Sequence, residues 1–179
     1  MLISKFSTNN VDEKIKEFEI AREIKIPKQL KQFLLKYNGG ETPDTSFSCG
    51  GESSDIVAFY GLGDVKYSYN GVDIHDNNKD SLLPIACDSF GNDILIGLTS
   101  GEIYFRDHET NNFTKLAQDL RTFIENCISE AITPSETIKE REKRLISEGR
   151  ENIITDELRA LWQAEIDKSR AIMQEKVDF

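Results

Sequence analysis

Between residues 82 and 106 this chain carries three apolar runs separated by turns that leave room only for a reversal of direction. Residues 82–87, 93–98 and 102–106 are rich in the branched and aromatic side chains that suit strands. Asp88-Ser89-Phe90-Gly91-Asn92 and Thr99-Ser100-Gly101 separate them, and these residue types stabilise turns. A parallel crossover needs a dozen or more residues, so the three strands must form an antiparallel meander. Pro84 offers no ladder donor, which places it at an edge, a bulge or a strand start.

Helices frame the meander. Val11, Ile15 and Phe18 recur at helical spacing and predict a first helix over residues 9–19. Ile26-Pro27 opens a second, over 27–37, because proline suits a first turn whose amides lack partners anyway. Leu30, Phe33, Leu34 and Tyr37 then form a stripe that must face a core, and Asn38-Gly39-Gly40 stops the helix. Residues 55–60 read as another strand, and the polar stretches 41–54 and 70–81 as loops. Leu116, Leu120, Phe123, Ile124, Cys127 and Ile128 restore helical spacing and predict a closing helix over 117–130. The expectation is an α+β domain over residues 1–132. Helices pack on one side of an antiparallel sheet of about five or six strands.

Residues 133–179 read as a helical C-terminal extension. Thr133-Pro134-Ser135-Glu136 supplies a cap hydroxyl, a proline for the first helical position and a glutamate for a capping box. Ile138 and Leu145 share one side of that helix, and Glu148-Gly149-Arg150 breaks it. Thr155 caps a last helix whose apolar stripe is Leu158, Leu161, Trp162, Ile166 and Ile172 or Met173. Two short amphipathic helices are marginal alone in water. The extension is therefore expected to pack on the domain, on a second copy of the chain in a homodimer, or on a partner.

Charge separates the middle of the chain from its flanks. Residues 41–109 hold thirteen acidic side chains against three basic ones, Lys66, Lys79 and Arg106, and this excess equals the net charge of −10. Such a field repels nucleic acid and attracts cationic partners, raising association rates. No direct nucleic-acid binding is expected. No apolar run approaches the roughly 18–20 residues of a membrane helix. The first eighteen residues lack an apolar core of signal-peptide length, so the expectation is a cytoplasmic protein with no membrane association. Cys49, Cys87 and Cys127 lack the spacing of a zinc or redox motif and are expected to be reduced structural thiols.

The constellations that resemble catalytic machinery are incomplete. Asp107-His108-Glu109 offers a histidine between carboxylates, but the only other histidine is His75, and neighbours on a strand point to opposite faces. Asp88, Asp93 and Asp107 lack the alternating oxygen ligands of a calcium loop. Gly61-Leu62-Gly63-Asp64 is too short for a phosphate loop. The reading is a binding protein rather than an enzyme, with no organic cofactor and no tightly bound metal.

Five motifs in a fixed order resemble the SUKH superfamily over residues 10–130. They are Ile26-Pro27; Leu30, Phe33-Leu34 and Tyr37-Asn38-Gly39-Gly40; Phe59-Tyr60-Gly61-Leu62; Leu83-Pro84-Ile85-Ala86 with Asp88 and Gly91-Asn92; and Gly101, Ile103-Tyr104-Phe105 with Asp107-His108-Glu109. The family often has an aromatic where Arg106 stands here. The resemblance implies a curved antiparallel sheet, and a function: bacterial members are typically immunity proteins that bind and neutralise a secreted toxin, often a nuclease. It carries over no catalytic residue, and Gly39, Gly61, Asp88, Gly91, Asn92 and Asp107 read as structural.

An inhibitor of a nuclease gains from acidic charge, because it meets a surface built to attract phosphates. Glu41, Asp44, Glu52, Asp73, Asp76 and Asp80 are therefore expected to contact the toxin from loops. Tyr69 and His75 lie among them as less salt-sensitive contacts. The alternatives are an intracellular regulatory scaffold and a divalent-metal hydrolase using the Asp and His residues above.

Overall fold

The chain's two ends lie side by side in one sheet. The computed structural model describes residues 1–132, 136–171 and 173–179. Leu2–Lys5 (β1) leads into helices Val11–Ala21 (α1) and Lys28–Tyr37 (α2). Strands Gly40–Glu41 (β2), Thr45–Cys49 (β3), Glu52–Asp55 (β4), Ala58–Phe59 (β5), His75–Asp76 (β6), Ser81–Cys87 (β7), Asp93–Gly97 (β8), Ile103–Arg106 (β9) and Phe113–Ala117 (β10) follow. Leu120–Glu125 (α3), Cys127–Ser129 (β11), Ile138–Ser147 (α4), Asp156–Ala171 (α5) and Glu175–Lys176 (β12) complete the order. Met1–Ala131 and Gln174–Phe179 form one unit, and Ile132–Met173 forms another.

The first unit is α+β. Its main sheet runs β10-β9-β8-β7-β5-β2-β1-β12, with β6 also on β7, and its strand pairs are antiparallel. Among the described residues it holds nine strands, more than the five or six expected. The surplus comes from β2, β6 and β12, each two residues long and too short for alternation to show, whereas β5 lies within the run 55–60 already read as a strand. A second sheet, β11-β3-β4, occupies much of the stretch read as a loop from its polarity. Thr45 and Phe47 are buried there and Ser46 and Ser48 exposed, so a period of two is present but carried by one large side chain. Pro84 sits where the β7–β8 register slips, a position that tolerates a missing amide.

The stripe on α2 is buried, and it joins Leu83, Ile85, Ile94, Ile96, Ile103 and Phe105 of the meander in one core. Full burial of each such side chain is worth about 1.5–3 kcal/mol. Asn38 ends α2 in the left-handed conformation, and its buried amide donates to the carbonyls of Ser7 and Leu62 while accepting from the Leu62 amide at 2.8 Å. Gly39 follows at φ +74°, where a Cβ would stand 2.5 Å from the Tyr60 carbonyl oxygen. The helix stop is thus also a clamp on residues 59–62.

The closing helix is shorter than residues 117–130. Leu116 lies in β10 and Cys127 in β11, and the helix between them is capped by Asp119, whose carboxylate accepts from the Thr122 amide at 2.8 Å. Pairing of Cys127 with Phe47 across β11 and β3 holds the last apolar residues in strand geometry. The extension is not helical to its end either. β12 pairs with β1, Asp178 accepts from the Tyr37 hydroxyl at 2.9 Å and pairs with Lys36, and the Phe179 ring lies 6.4 Å from that of Phe33.

In the second unit, Thr137 and Glu140 form the capping box of α4. The cap expected from Thr133-Pro134-Ser135 lies outside the described residues. The short 3₁₀ turn Glu151–Ile153 leads into α5. Arg141–Glu165 at 2.8 Å and Arg159–Glu142 at 2.6 Å tie the two helices. The Arg141 guanidinium stands 5.8 Å from the Trp162 ring. Leu145 and Ile166 are buried and Leu158 and Trp162 partly so, but Leu161 is 67 % and Met173 86 % exposed, so the expected stripe is narrower than the spacing implied; Ile172 lies outside the described residues.

Candidate partner-binding face

Alternation along β7–β10 sends side chains to two faces of the sheet. One face meets the helices. On the other, Leu82, Leu95 and Tyr104 form a separate buried cluster with Phe113 packed against it. The segment through β6 helps to cover this outer face, with the His75 ring 6.4 Å from Phe113. A groove of about 670 Å³ opens beside it. Asp76, Asn77, Asn78 and Lys79 make one wall, Tyr104 and Phe113 lie in it, and Asn111, Asn112 and Lys115 stand across.

Local hydrogen bonds hold this groove in shape. Asn77 Oδ1 accepts from the amides of Lys79 and Asp80 at 3.1 and 3.0 Å, an Asx turn. The Asp80 carboxylate accepts from the Thr99 amide at 3.0 Å and from the Ser100 amide and hydroxyl at 2.8 Å, fastening the loop to the β8–β9 turn. Burial pushes the Asp80 carboxyl up, but the Ser100 and Thr99 donors outweigh it and hold the group below the usual carboxylate range. Glu102 pairs with Lys115 and accepts from the Tyr104 hydroxyl at 2.6 Å; these two partners hold its carboxyl low, and Glu102 in turn raises the Tyr104 phenol.

The expected contact residues fall into several places. Asp73, His75, Asp76 and Asp80 share the segment that leads into the groove wall, with Asp73 and Asp76 exposed. Asp76 accepts from the Ser81 hydroxyl at 2.8 Å, whereas Asp73 has no side-chain partner among the described residues. Glu41 pairs with Lys66, and Glu52 accepts from the Thr114 hydroxyl at 2.9 Å, so each is anchored on another part of the sheet. Asp44 is exposed beside β11, where its carbonyl accepts from the Glu130 amide at 2.7 Å. Tyr69 is a correction. It is 2 % exposed, its ring lies against Phe18 and Tyr60 at 5.0 and 5.8 Å, and it serves the core rather than a contact surface.

The Asp and His residues of the meander turns are already engaged. Asp88 is buried and accepts from the Phe90 and Asn92 amides, the Asn92 side chain and the Ser54 hydroxyl at 2.7–2.9 Å. Asp93 pairs with Arg106 at 2.7 Å. Asp107 accepts from the amides of Glu109 and Thr110 at 2.9 Å; the Thr110 donor chiefly holds its carboxyl low. The His108 amide donates to Asn92 Oδ1 at 3.0 Å, bracing one hairpin tip against the other. Among the described residues no three His, Cys, Asp or Glu side chains gather as a metal site. Burial pushes the Cys127 thiol up to about 12 and raises Cys87 as well. No helix among the described residues is long and apolar enough to cross a membrane.

Tyr104, Phe113, Lys115 and the two asparagine pairs had no place in the sequence reading of the contact surface. A signal for them exists. The runs 82–86, 94–96 and 103–105 are buried without interruption, and a sheet with one wet face would alternate. Unbroken apolar runs mean that both faces are covered.

Comparison with known proteins accords with this architecture. Residues 12–124 match the family model SUKH_6, described as SMI1-KNR4 cell-wall. The chain is 25 % identical over 153 residues to the SPbeta prophage-derived uncharacterized protein YokK of Bacillus subtilis (strain 168), covering 72 % of this chain and 80 % of that protein. No solved structure matches the chain significantly. With the matched region spanning α1–α3 and the meander, the chain belongs to the SUKH superfamily.

Proposed function

We propose that this protein is an immunity protein that binds a cognate bacterial toxin through the outer face of its sheet and neutralises it by occlusion, with no chemistry of its own. The observation that carries the reading is the groove wall. In a chain whose whole charge excess lies in residues 41–109, the exposed carboxylates of Asp73 and Asp76 lie on or lead into the lip of an open groove. Family membership supports it, since bacterial SUKH proteins typically act in this way. A toxin whose active surface attracts phosphate, such as a nuclease, presents the complementary charge. The B. subtilis relative is prophage-derived.

The test is to look beside this gene in the producing strain for a toxin gene and to co-express the two; the absence of such a gene would count against the reading. The wild-type chain is expected to restore growth, and its association rate with the purified toxin to fall as salt is added. Asp73→Lys with Asp76→Lys should slow association and weaken protection. Asp80 is left intact because it holds the loop. Equal protection by the double variant, with salt-independent association, would remove this face from the interaction. A second reading, a regulatory scaffold, draws on the cell-wall description of the matched family. It predicts stable complexes with the strain's own proteins in the absence of any toxin gene.

A further inference from the structure

We propose that Phe90 is the aromatic anchor of a docking knob on the β7–β8 hairpin tip, fitted to an apolar pocket rimmed by cationic side chains on a partner protein. The inference rests on the partner-binding reading above and names a contact outside the groove. A single exposed apolar side chain is ordinary; what surrounds this one is not. Phe90 is 70 % exposed, whereas Phe33, Phe59 and Phe123 are fully buried. Turns of this kind need Asp, Asn and Gly, and nothing in the closure of the hairpin uses an aromatic ring.

The turn that carries the ring is locked. Buried Asp88 accepts from the Phe90 amide itself at 2.9 Å, and the Ser89 amide donates to Asp55 at 3.1 Å. Asn92 closes the turn through its carbonyl, which accepts from the Asp88 amide at 3.1 Å, and braces it against the β9–β10 tip through the His108 amide. An aromatic side chain on a fixed backbone has few torsions left to lose on binding. Large, preorganised aromatics are the residues that dominate interfaces.

Charge selects the partner. Asp55, at the end of β4, accepts from the Ser89 amide of this tip, Asp107 belongs to the β9–β10 tip braced against it, and the exposed Glu109 of that tip has no side-chain partner among the described residues. Of the two bases in the β9–β10 hairpin, Arg106 is tied to Asp93 at 2.7 Å and to Asn111 at 2.8 Å, and Lys115 pairs with Glu102. The elements that carry and brace the ring thus present carboxylates, with both hairpin bases already paired and the His108 ring beside Gly91, and the complement of the ring is an apolar pocket with Lys or Arg at the rim, which also favours the aromatic face. A second copy of this chain is a poor occupant, because two chains of net charge −10 repel.

The purified product of a toxin gene found beside this one is the probe. Phe90→Ala is expected to weaken its binding by at least about thirtyfold, chiefly through faster dissociation. The unfolding midpoint should not change. Phe90→Tyr keeps the ring and is expected to stay within about threefold of wild type. Wild-type binding to the toxin with an unchanged affinity for Phe90→Ala would overturn the knob and leave the immunity reading standing. No binding by the wild-type chain would overturn both. A wild-type dimer that Phe90→Ala converts to a monomer would place the ring between two copies and overturn the proposed occupant.

Discussion

The two faces of the meander bury apolar side chains for different ends. Leu83, Ile94, Ile96, Ile103 and Phe105 meet α2 and the other helices in a core that also holds Phe33, Phe59 and Phe123. Leu82, Leu95 and Tyr104 sit under a polar loop, with Phe113 packed against them. The inner face is closed by helices with their own apolar stripes. The outer face is closed by side chains that end in polar groups: the Tyr104 hydroxyl on Glu102, Lys115 on the same carboxylate, and Asp80 on the Thr99-Ser100 turn. Burial on the inner face stabilises the fold, while burial on the outer face lets a shaped polar surface exist above it.

Adjacent leucines test this contrast most sharply. Leu83 faces inward and Leu82 outward, and both are buried. Leu→Ala costs span about 2–5 kcal/mol, set by how far the surroundings collapse into the cavity. Leu83→Ala is expected near about 4–5 kcal/mol, since helices and sheet cannot both move in. Leu82→Ala is expected near about 2–3 kcal/mol, because a loop can settle. Denaturant unfolding measures both, and equal losses would make the outer face a second structural core.

A smaller effect isolates the loop itself. Asp80→Asn removes charge-assisted acceptance from the Thr99 and Ser100 donors and should cost about 1 kcal/mol at neutral pH. The sign in acid follows from its lowered carboxyl. Its contribution is present above the ordinary carboxylate range and is lost as pH falls through the depressed value in the fold. The wild-type chain should therefore lose more stability than Asp80→Asn on acidification through that window. Parallel acid-unfolding curves for the two proteins would mean that Asp80 does not hold the loop.

Reversing Asp73 and Asp76 should leave stability nearly unchanged, since both are exposed surface groups. Its effect belongs in the association rate. The Phe90 substitution belongs in the dissociation rate, so the groove wall and the hairpin tip are separable by kinetics.

Much of this fold was legible before any coordinates. The α2 stripe, its stop at Asn38 and the order of strands from 82 to 106 follow from side-chain period and turn chemistry, which are local properties. Motifs in the same order identified the family that the comparison then showed. The β3–β4 hairpin was hidden because one phenylalanine does the work of a stripe, and β2, β6 and β12 were hidden because nothing two residues long has a period. The closing helix was overextended because residues spaced by four also suit a strand, a short helix and a strand that share one core.

The candidate site was legible in charge and not in place. Residue types alone set the excess of carboxylates in 41–109, the lack of a zinc or redox cysteine pattern, and the tight turns at 88–92 and 99–101. Tertiary structure alone decided that Tyr69 turns inward, that Glu41 and Glu52 are anchored away from Asp76, and that the last residues return to pair with the first. Those outcomes depend on which distant backbone and side-chain groups become neighbours. Such neighbours are set by the packing of the whole sheet, which no short window of sequence contains.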